Sequence, residues 1–148
     1  MKIAHNTVVV VADGQKMLLL RNEGDEEHPK LEVVRLRELD NPPTREQGCD
    51  APGRNFSTAG TAHSSYQETD FHQMEEDRFA IETAEILNKQ ALANRFERLI
   101  VVAPPRTLGE LRKHYHKEVE ARLVGEIAKD LTGHPIDRIE QLVMANGD

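Results

Sequence analysis

The strongest constraint on the fold is a short apolar segment, LIVVA, that runs from Leu99 to Ala103 directly into two prolines. Five consecutive apolar residues, three of them β-branched, are typical of a strand that is covered on both faces. Proline cannot continue a central ladder, because it lacks the N–H group that the ladder needs. It is well suited to the first position of a helix. The segment therefore predicts a buried strand over Leu99–Ala103 and a helix that begins at Pro105.

The N-terminal region predicts three strands that fold back on one another. Thr7–Ala12 is β-branched and almost wholly apolar, Lys16–Arg21 reads KMLLLR, and Leu31–Leu39 mixes Leu and Val with charges. Between the first two lies Asp13-Gly14, a dipeptide that favours a tight type I′ hairpin turn. We therefore expect an antiparallel hairpin followed by a third strand.

Residues 40–76 interrupt these patterns with 37 residues of Pro, Gly, Ser, Thr, Asn and scattered charge. The stretch contains seven acidic and two basic residues, so its net charge is 2 − 7 = −5. A segment of this length without regular structure is usually a functional loop or disordered. We predict a long polar loop here. A helix follows over Asp77–Phe96, because four apolar residues recur at helical spacing, namely Ala80, Ala84, Leu87 and Ala91.

The segment Val119–Asp130 fits two structures. Apolar residues four apart would continue a helix, whereas the alternation of Leu123, Gly125 and Ile127 with polar neighbours favours a strand. Glycine disfavours a helix interior by about 1 kcal/mol, so we predict a strand, and a last helix after Pro135. The resulting order is β-β-β-α-β-α-β-α. It predicts a single α/β domain over residues 1–148, a mixed sheet with helices on its faces.

Charge and cysteine content narrow the class of protein. The chain has 26 acidic and 19 basic residues, a formal net charge of −7, which argues against a general polyanion binder but leaves room for a local basic patch. A single cysteine, Cys49, allows no intrachain disulfide framework. No apolar run approaches membrane-spanning length, and the short N-terminal run reads as a strand rather than a signal peptide. We therefore expect a cytoplasmic protein with no membrane partner.

Five segments spread over nearly the whole chain carry a family resemblance. They read VVVVADGQKMLLL (Val8–Leu20), GRNFSTAG (Gly53–Gly60), DRFAIETAEILNK (Asp77–Lys89), LIVVAPPRTLGELR (Leu99–Arg112) and GEIAKDLTGHP (Gly125–Pro135). In these segments the chain resembles the bacterial host-attachment protein family (protein required for attachment to host cells). That family is in turn similar to the middle domain of archaeal and eukaryotic peptide-chain release factors.

The resemblance implies a ribonuclease-H-like α/β fold and a role in the attachment of bacteria to host cells. In the related release-factor domain, the catalytic Gly-Gly-Gln tip lies in the loop between the third strand and the long helix. The polar loop over residues 40–76 occupies that place, but it contains no Gly-Gly-Gln, and Gln47-Gly48 has the wrong order. We therefore predict a non-catalytic binding protein, with no cofactor, no metal ion and no catalytic residue.

Two surfaces are candidates for contact with a partner. The predicted helix at Pro105 and the residues after it concentrate four cations, opposed locally by Glu110 alone: Arg106, Arg112, Lys113 and Lys117. The positive end of the helix dipole lies beside them, so we predict a site for RNA phosphates or another anion. In the loop, Arg54, Phe56 and Ser57 belong to a stretch that resembles a family motif, and they are candidate loop contacts.

Two alternative functions remain open. One is a ribosome- or RNA-associated translation or stress factor that is related to release factors. The other is a metal-dependent nuclease of ribonuclease-H-like fold, in which Asp13 and Asp130, with Glu76 or Glu82, would hold two metal ions. Asp13 has a simpler explanation as a turn residue. The partner is thus an unknown protein, or the ribosome or RNA, and the sequence leaves the oligomeric state open.

Overall fold

A computed structural model describes residues 1–39 and 61–146, with side chains described outside residues 61–70. The described strands are β1 (Val8–Ala12), β2 (Lys16–Asn22), β3 (Leu31–Glu38), β4 (Leu99–Val102) and β5 (Leu123–Ile127). The described helices are α1 (Thr61–Leu92), α2 (Pro105–His114), α3 (Lys117–Arg122) and α4 (Ile136–Ala145). None of these helices is both long enough and apolar enough to span a bilayer.

The strands form one mixed sheet in the order β3-β2-β1-β4-β5. β1 pairs antiparallel with β2, where Val9 is opposite Leu20, and parallel with β4, where Val9 is opposite Ile100. The β2–β3 pair is antiparallel and the β4–β5 pair is parallel. β1 is therefore the central strand, which explains why every residue of VVVVA is buried and apolar.

Alternate residues of β1 and β4 point to opposite faces of the sheet and build two separate cores. On one face, Val8, Val10 and Val101 pack with α1, α2 and α3, whose buried residues include Phe79, Leu87, Leu108, Leu111 and Val119. On the other face, Val9, Val11 and Ile100 pack with Ile3 and with α4 residues Ile139 and Val143. The sheet is thus covered by helices on both sides, as the sequence predicts.

β3 lies at the edge of the described sheet and is far more exposed than β1. Leu31 is buried, but Val33, Val34 and Leu36 are exposed to between 45% and 52%. Arg37, near the end of β3, pairs with Glu82 of α1, and its guanidinium lies 4.7 Å from the centre of the Phe79 ring. This contact ties the edge strand to the long helix.

The long helix begins earlier than the sequence predicts. α1 starts at Thr61, so residues 61–76 are helical rather than part of a polar loop, and residues 40–60 lie outside the described residues. The stretch 61–92 contains no glycine or proline to interrupt a helix. Apolar periodicity did not reveal the start of the helix. Within residues 71–92, Phe71 and Met74 are exposed and the first buried residue is Phe79.

The helix also ends earlier than predicted, at Leu92 rather than Phe96. Asn94 follows with a φ of 57°, and its N–H donates to the Ala91 carbonyl at 2.9 Å. A residue in the left-handed region commonly ends a helix in this way, and asparagine is among those that tolerate it.

The segment 119–130 divides between the two structures that its sequence fits. α3 ends at Arg122 and β5 spans Leu123–Ile127, so the predicted strand is confirmed for residues 123–127 and wrong for residues 119–122 and 128–130. The imidazole Nδ1 of His116 caps α3 by accepting the N–H of Glu118 at 3.0 Å. The predicted element order is therefore corrected by one short helix.

The β1–β2 hairpin is confirmed, but its turn is not of type I′. That type needs positive φ at both central residues, and among the described residues other than glycine only Asn6 and Asn94 have one, so Gln15 does not. Instead, Asp13 Oδ1 accepts the N–H groups of Gln15 and Lys16, each at 2.7 Å. The aspartate side chain thus fixes the turn in place of the backbone geometry.

Two glycines give opposite expectations for the same substitution. A Cβ added to Gly14 would lie 2.7 Å from Cγ and 2.8 Å from Cβ of Glu76, whereas a Cβ at Gly109, within α2, would meet nothing within 4 Å. We expect Gly14→Ala to lower the free energy of unfolding by about 1–3 kcal/mol through overpacking. We expect Gly109→Ala to raise it by about 0.5–1 kcal/mol, because alanine favours the helix. Urea unfolding of both variants tests the pair, and equal effects would contradict the packing at Gly14.

Candidate functional site

The four cations that the sequence predicts as an RNA or anion site lie on α2 and at the first residue of α3. α2 begins at Pro105 and is anchored by Leu108 and Leu111, which are buried. Because those residues face the sheet, the remaining side chains of the helix face outward, and all four cations are exposed. This exposure is what the predicted site at Arg106, Arg112, Lys113 and Lys117 requires. That these residues bind RNA or another anion stays a prediction.

Two of these cations are held by carboxylates. Arg112 Nη2 and Nε donate to Oε1 of Glu126 at 2.8 and 3.1 Å, and Lys113 Nζ lies 3.0 Å from Oε1 of Glu110. The hydrogen bond and the charge of Glu126 raise the pKa of Arg112. Arg106 and Lys117 form no ion pair with any described residue. The cationic surface is therefore weaker than a count along α2 suggests.

Sequence reasoning missed Glu126 because it lies on β5, well separated from α2 in the chain. The β4–β5 pairing places β5 beside the strand that leads into α2. Glu126 is exposed by only 19% in its side chain, and it meets Arg112 through two guanidinium nitrogens. Such a fork holds an arginine more firmly than a single contact does.

Tyr115, directly after α2, is the second residue that the sequence did not single out for chemistry. It is half-buried against the core on the α1 face of the sheet, and its hydroxyl oxygen has no hydrogen-bond partner among the described residues. Burial raises the pKa of the Tyr115 phenol, the Glu126 carboxylate raises it further, and Arg112 partly opposes them. The phenol is therefore kept neutral.

Asp13 and Asp130, the carboxylates of the nuclease alternative, are brought together through a third residue. Thr132 Oγ1 lies 2.8 Å from Oδ2 of Asp13 and 2.7 Å from Oδ1 of Asp130. A hydroxyl has a single proton to donate, so it serves one carboxylate at a time. The other oxygen of Asp13 is already engaged with the hairpin turn.

Glu76 and Glu82, the two candidates for the third carboxylate of the nuclease alternative, contact other residues. Glu82 pairs with Arg37 of β3, and Glu76 packs its side chain over Gly14. Among the side chains that the structure describes, in residues 1–39 and 71–146, no group of three or more acidic, histidine or cysteine residues is close enough to hold a metal ion. Of these carboxylates, Asp13 holds the hairpin turn and Glu82 pairs with Arg37.

The candidate loop contacts Arg54, Phe56 and Ser57 lie outside the described residues. Their role stays a prediction from the sequence.

Comparison with known proteins places this arrangement in a family. Residues 6–143 match a family model described as bacterial archaeo-eukaryotic release factor family 12. The chain is also 31% identical, over 94 residues, to a curated Rickettsia prowazekii (strain Madrid E) protein named "Uncharacterized protein RP470". That alignment covers 62% of this chain and 61% of the relative, so the chain spans about three fifths of the relative's length. The predicted resemblance to release factors is confirmed, whereas neither description mentions host attachment.

The buried phenol makes alkaline stability a test of this site. The unfolded pKa of tyrosine is about 10, and the folded value is higher. Below pH 10 the phenol is neutral in both states. As the pH rises above about 10, the unfolded state loses its proton first, and the free energy of unfolding falls.

We expect Tyr115→Phe to remove this loss. Near neutral pH the variant should match or slightly exceed the native protein, because the deleted hydroxyl has no partner among the described residues. Urea unfolding of both proteins between neutral pH and pH values above about 10 measures the difference. Identical pH profiles would show that the phenol is not buried as described.

Proposed function

Because the chain belongs to bacterial archaeo-eukaryotic release factor family 12, we propose that it is a translation-related protein that binds ribosomal RNA without releasing nascent peptides. The observation that carries this proposal is the family match over residues 6–143 in a sequence that has no Gly-Gly-Gln and no two adjacent glycines. Peptide release in the related domain depends on that tripeptide. A member without it keeps the scaffold and can retain binding.

The amino end of α2 supplies the best contact for a phosphate. Pro104 precedes the helix and gives no side-chain cap, so no side chain competes for the first-turn N–H groups. The positive end of the helix dipole lies there, and Arg106 is exposed in the first turn. A guanidinium next to a helix N-terminus favours a phosphate by charge and by hydrogen bonding.

Ion pairing ranks the four predicted cations as phosphate ligands. Arg106 and Lys117, which have no ion pair among the described residues, can bind phosphate without losing a carboxylate. Lys113 shares an exposed ion pair with Glu110, a kind of contact that contributes little and exchanges readily. Arg112 is held most firmly, by Glu126. We therefore assign the main RNA contacts to Arg106 and Lys117.

The finer expectations from the resemblance belong to this proposal as well. We propose that the sheet and its helices form the ribonuclease-H-like layout of the release-factor middle domain, within a single cytoplasmic domain. The support is a mixed five-stranded sheet with helices on both faces. A role in host attachment stays a prediction from sequence resemblance alone, and we propose no direct contact with a host surface.

Co-sedimentation with purified bacterial ribosomes tests the function. We expect the protein to pellet with ribosomes at low salt and to dissociate as salt rises, because phosphate contacts release counterions. Arg106→Gln with Lys117→Gln should weaken binding. It should also lower the slope of log affinity against log salt by about 1 for each lost phosphate contact.

The matched control is Arg35→Gln with Arg78→Gln, which removes the same two charges from exposed positions on β3 and α1. We expect it to bind nearly as the native protein does. Equal losses in the two double variants would reduce the effect to net charge and contradict the α2 surface. No association at low salt would contradict the proposed function.

A further inference from the structure

A cleft opens at the amino-terminal end of β1 and β4, away from α2. Its walls come from the turn before β1, the end of β2 and the segment between α1 and β4, and its volume is about 570 Å³. Three arginines line it, Arg21, Arg95 and Arg98, together with Asn6 and Asn94. We call it the arginine cleft. No sequence motif marks it, because Arg21 is far from the other two in the chain.

Hydrogen bonds to the backbone hold the walls of the arginine cleft in place. Arg21 Nη2 donates to the Arg95 carbonyl at 3.2 Å, and the Val8 N–H donates to the Arg98 carbonyl at 3.0 Å. Arg122, at the end of α3, donates its Nε–H to the Phe96 carbonyl at 2.9 Å. The segment that carries Arg95 and Arg98 is thus fixed to β1, β2 and α3. A ligand would meet a preformed backbone that carries the exposed side chains of Arg95 and Arg98.

The charges of the cleft favour an anion. None of the three arginines forms an ion pair with a described residue, in contrast to Arg37 and Arg112. Two carboxylates, Glu23 and Glu97, also line the cleft, so its formal charge is 3 − 2 = +1 with His5 neutral. Unpaired guanidiniums in a concave site, with asparagine and carboxylate groups beside them, fit a ligand that has both a negative group and hydroxyl or amide groups.

We propose that the arginine cleft binds a phosphoryl group on a ligand of about nucleotide size. Guanidinium groups match phosphate oxygens with two parallel hydrogen bonds, and small-molecule sites have volumes of roughly 300–1,000 Å³. The phosphoryl group comes either from a free nucleotide or from an RNA strand. The site lies at the opposite end of β4 from Arg106, so it is separate from the α2 surface and does not depend on ribosome binding.

Isothermal titration with AMP, and fluorescence anisotropy with a short labelled oligouridylate, test this site. We expect saturable binding of at least one probe, and none of adenosine, which lacks the phosphate. Arg95→Gln with Arg98→Gln should weaken binding by about tenfold or more, since each residue removed is a charged donor. Both side chains are exposed and their carbonyls remain, so we expect the variant to fold. The single variants, each with a smaller loss, extend the test.

Arg35→Gln with Arg78→Gln again serves as the control of equal charge, since neither residue lines the cleft. Tighter binding of AMP would identify a free nucleotide as the source, and tighter binding of the oligouridylate would identify RNA; both support the proposal. It is overturned if neither probe binds at millimolar concentration, if adenosine binds as well as AMP, or if the control loses as much affinity as the cleft variant.

Discussion

The rest of the structure depends on the burial of β1 on both faces. Its side chains supply two cores at once, because alternate residues point to opposite sides of the sheet, and its two edges pair with β2 and β4. Both ends of β1 are therefore held in fixed positions. Thr7 and Asn6 at one end line the arginine cleft, and Asp13 at the other end holds the hairpin. Substitution within Val8–Ala12 would disturb every surface discussed above.

The described arginines differ in whether they form an ion pair. Two of those with a carboxylate partner connect elements: Arg37 connects β3 to α1, and Arg112 connects α2 to β5. The arginines without a carboxylate partner in the described structure include Arg106 and the three arginines of the cleft, which are the ones we propose as ligands of phosphate. A charge count along the sequence cannot make this distinction, because a salt bridge depends on which strands are neighbours.

Much of the fold was predictable, because strands with continuous apolar residues and turns with Asp-Gly are local signals. β1, β2, β3, β4 and the start of α2 follow from them. The first turns of α1 were not predictable, since residues 61–76 have no continuous series of apolar residues at helical spacing, and the six residues of α3 are too few for periodicity. The candidate site was predictable as a set of cations close together in the chain. Its partners, above all Glu126, come from other elements that only the tertiary fold brings close.

The exposed edge of β3 has a consequence for how copies of the protein meet. Unpaired strand edges with apolar side chains invite pairing between molecules. If two copies aligned antiparallel about Arg35, that arginine would face its own counterpart. Aligned about Leu36, Arg35 would face Arg37. Like charges opposite each other are unfavourable, so the charges of β3 oppose self-association in these two registers.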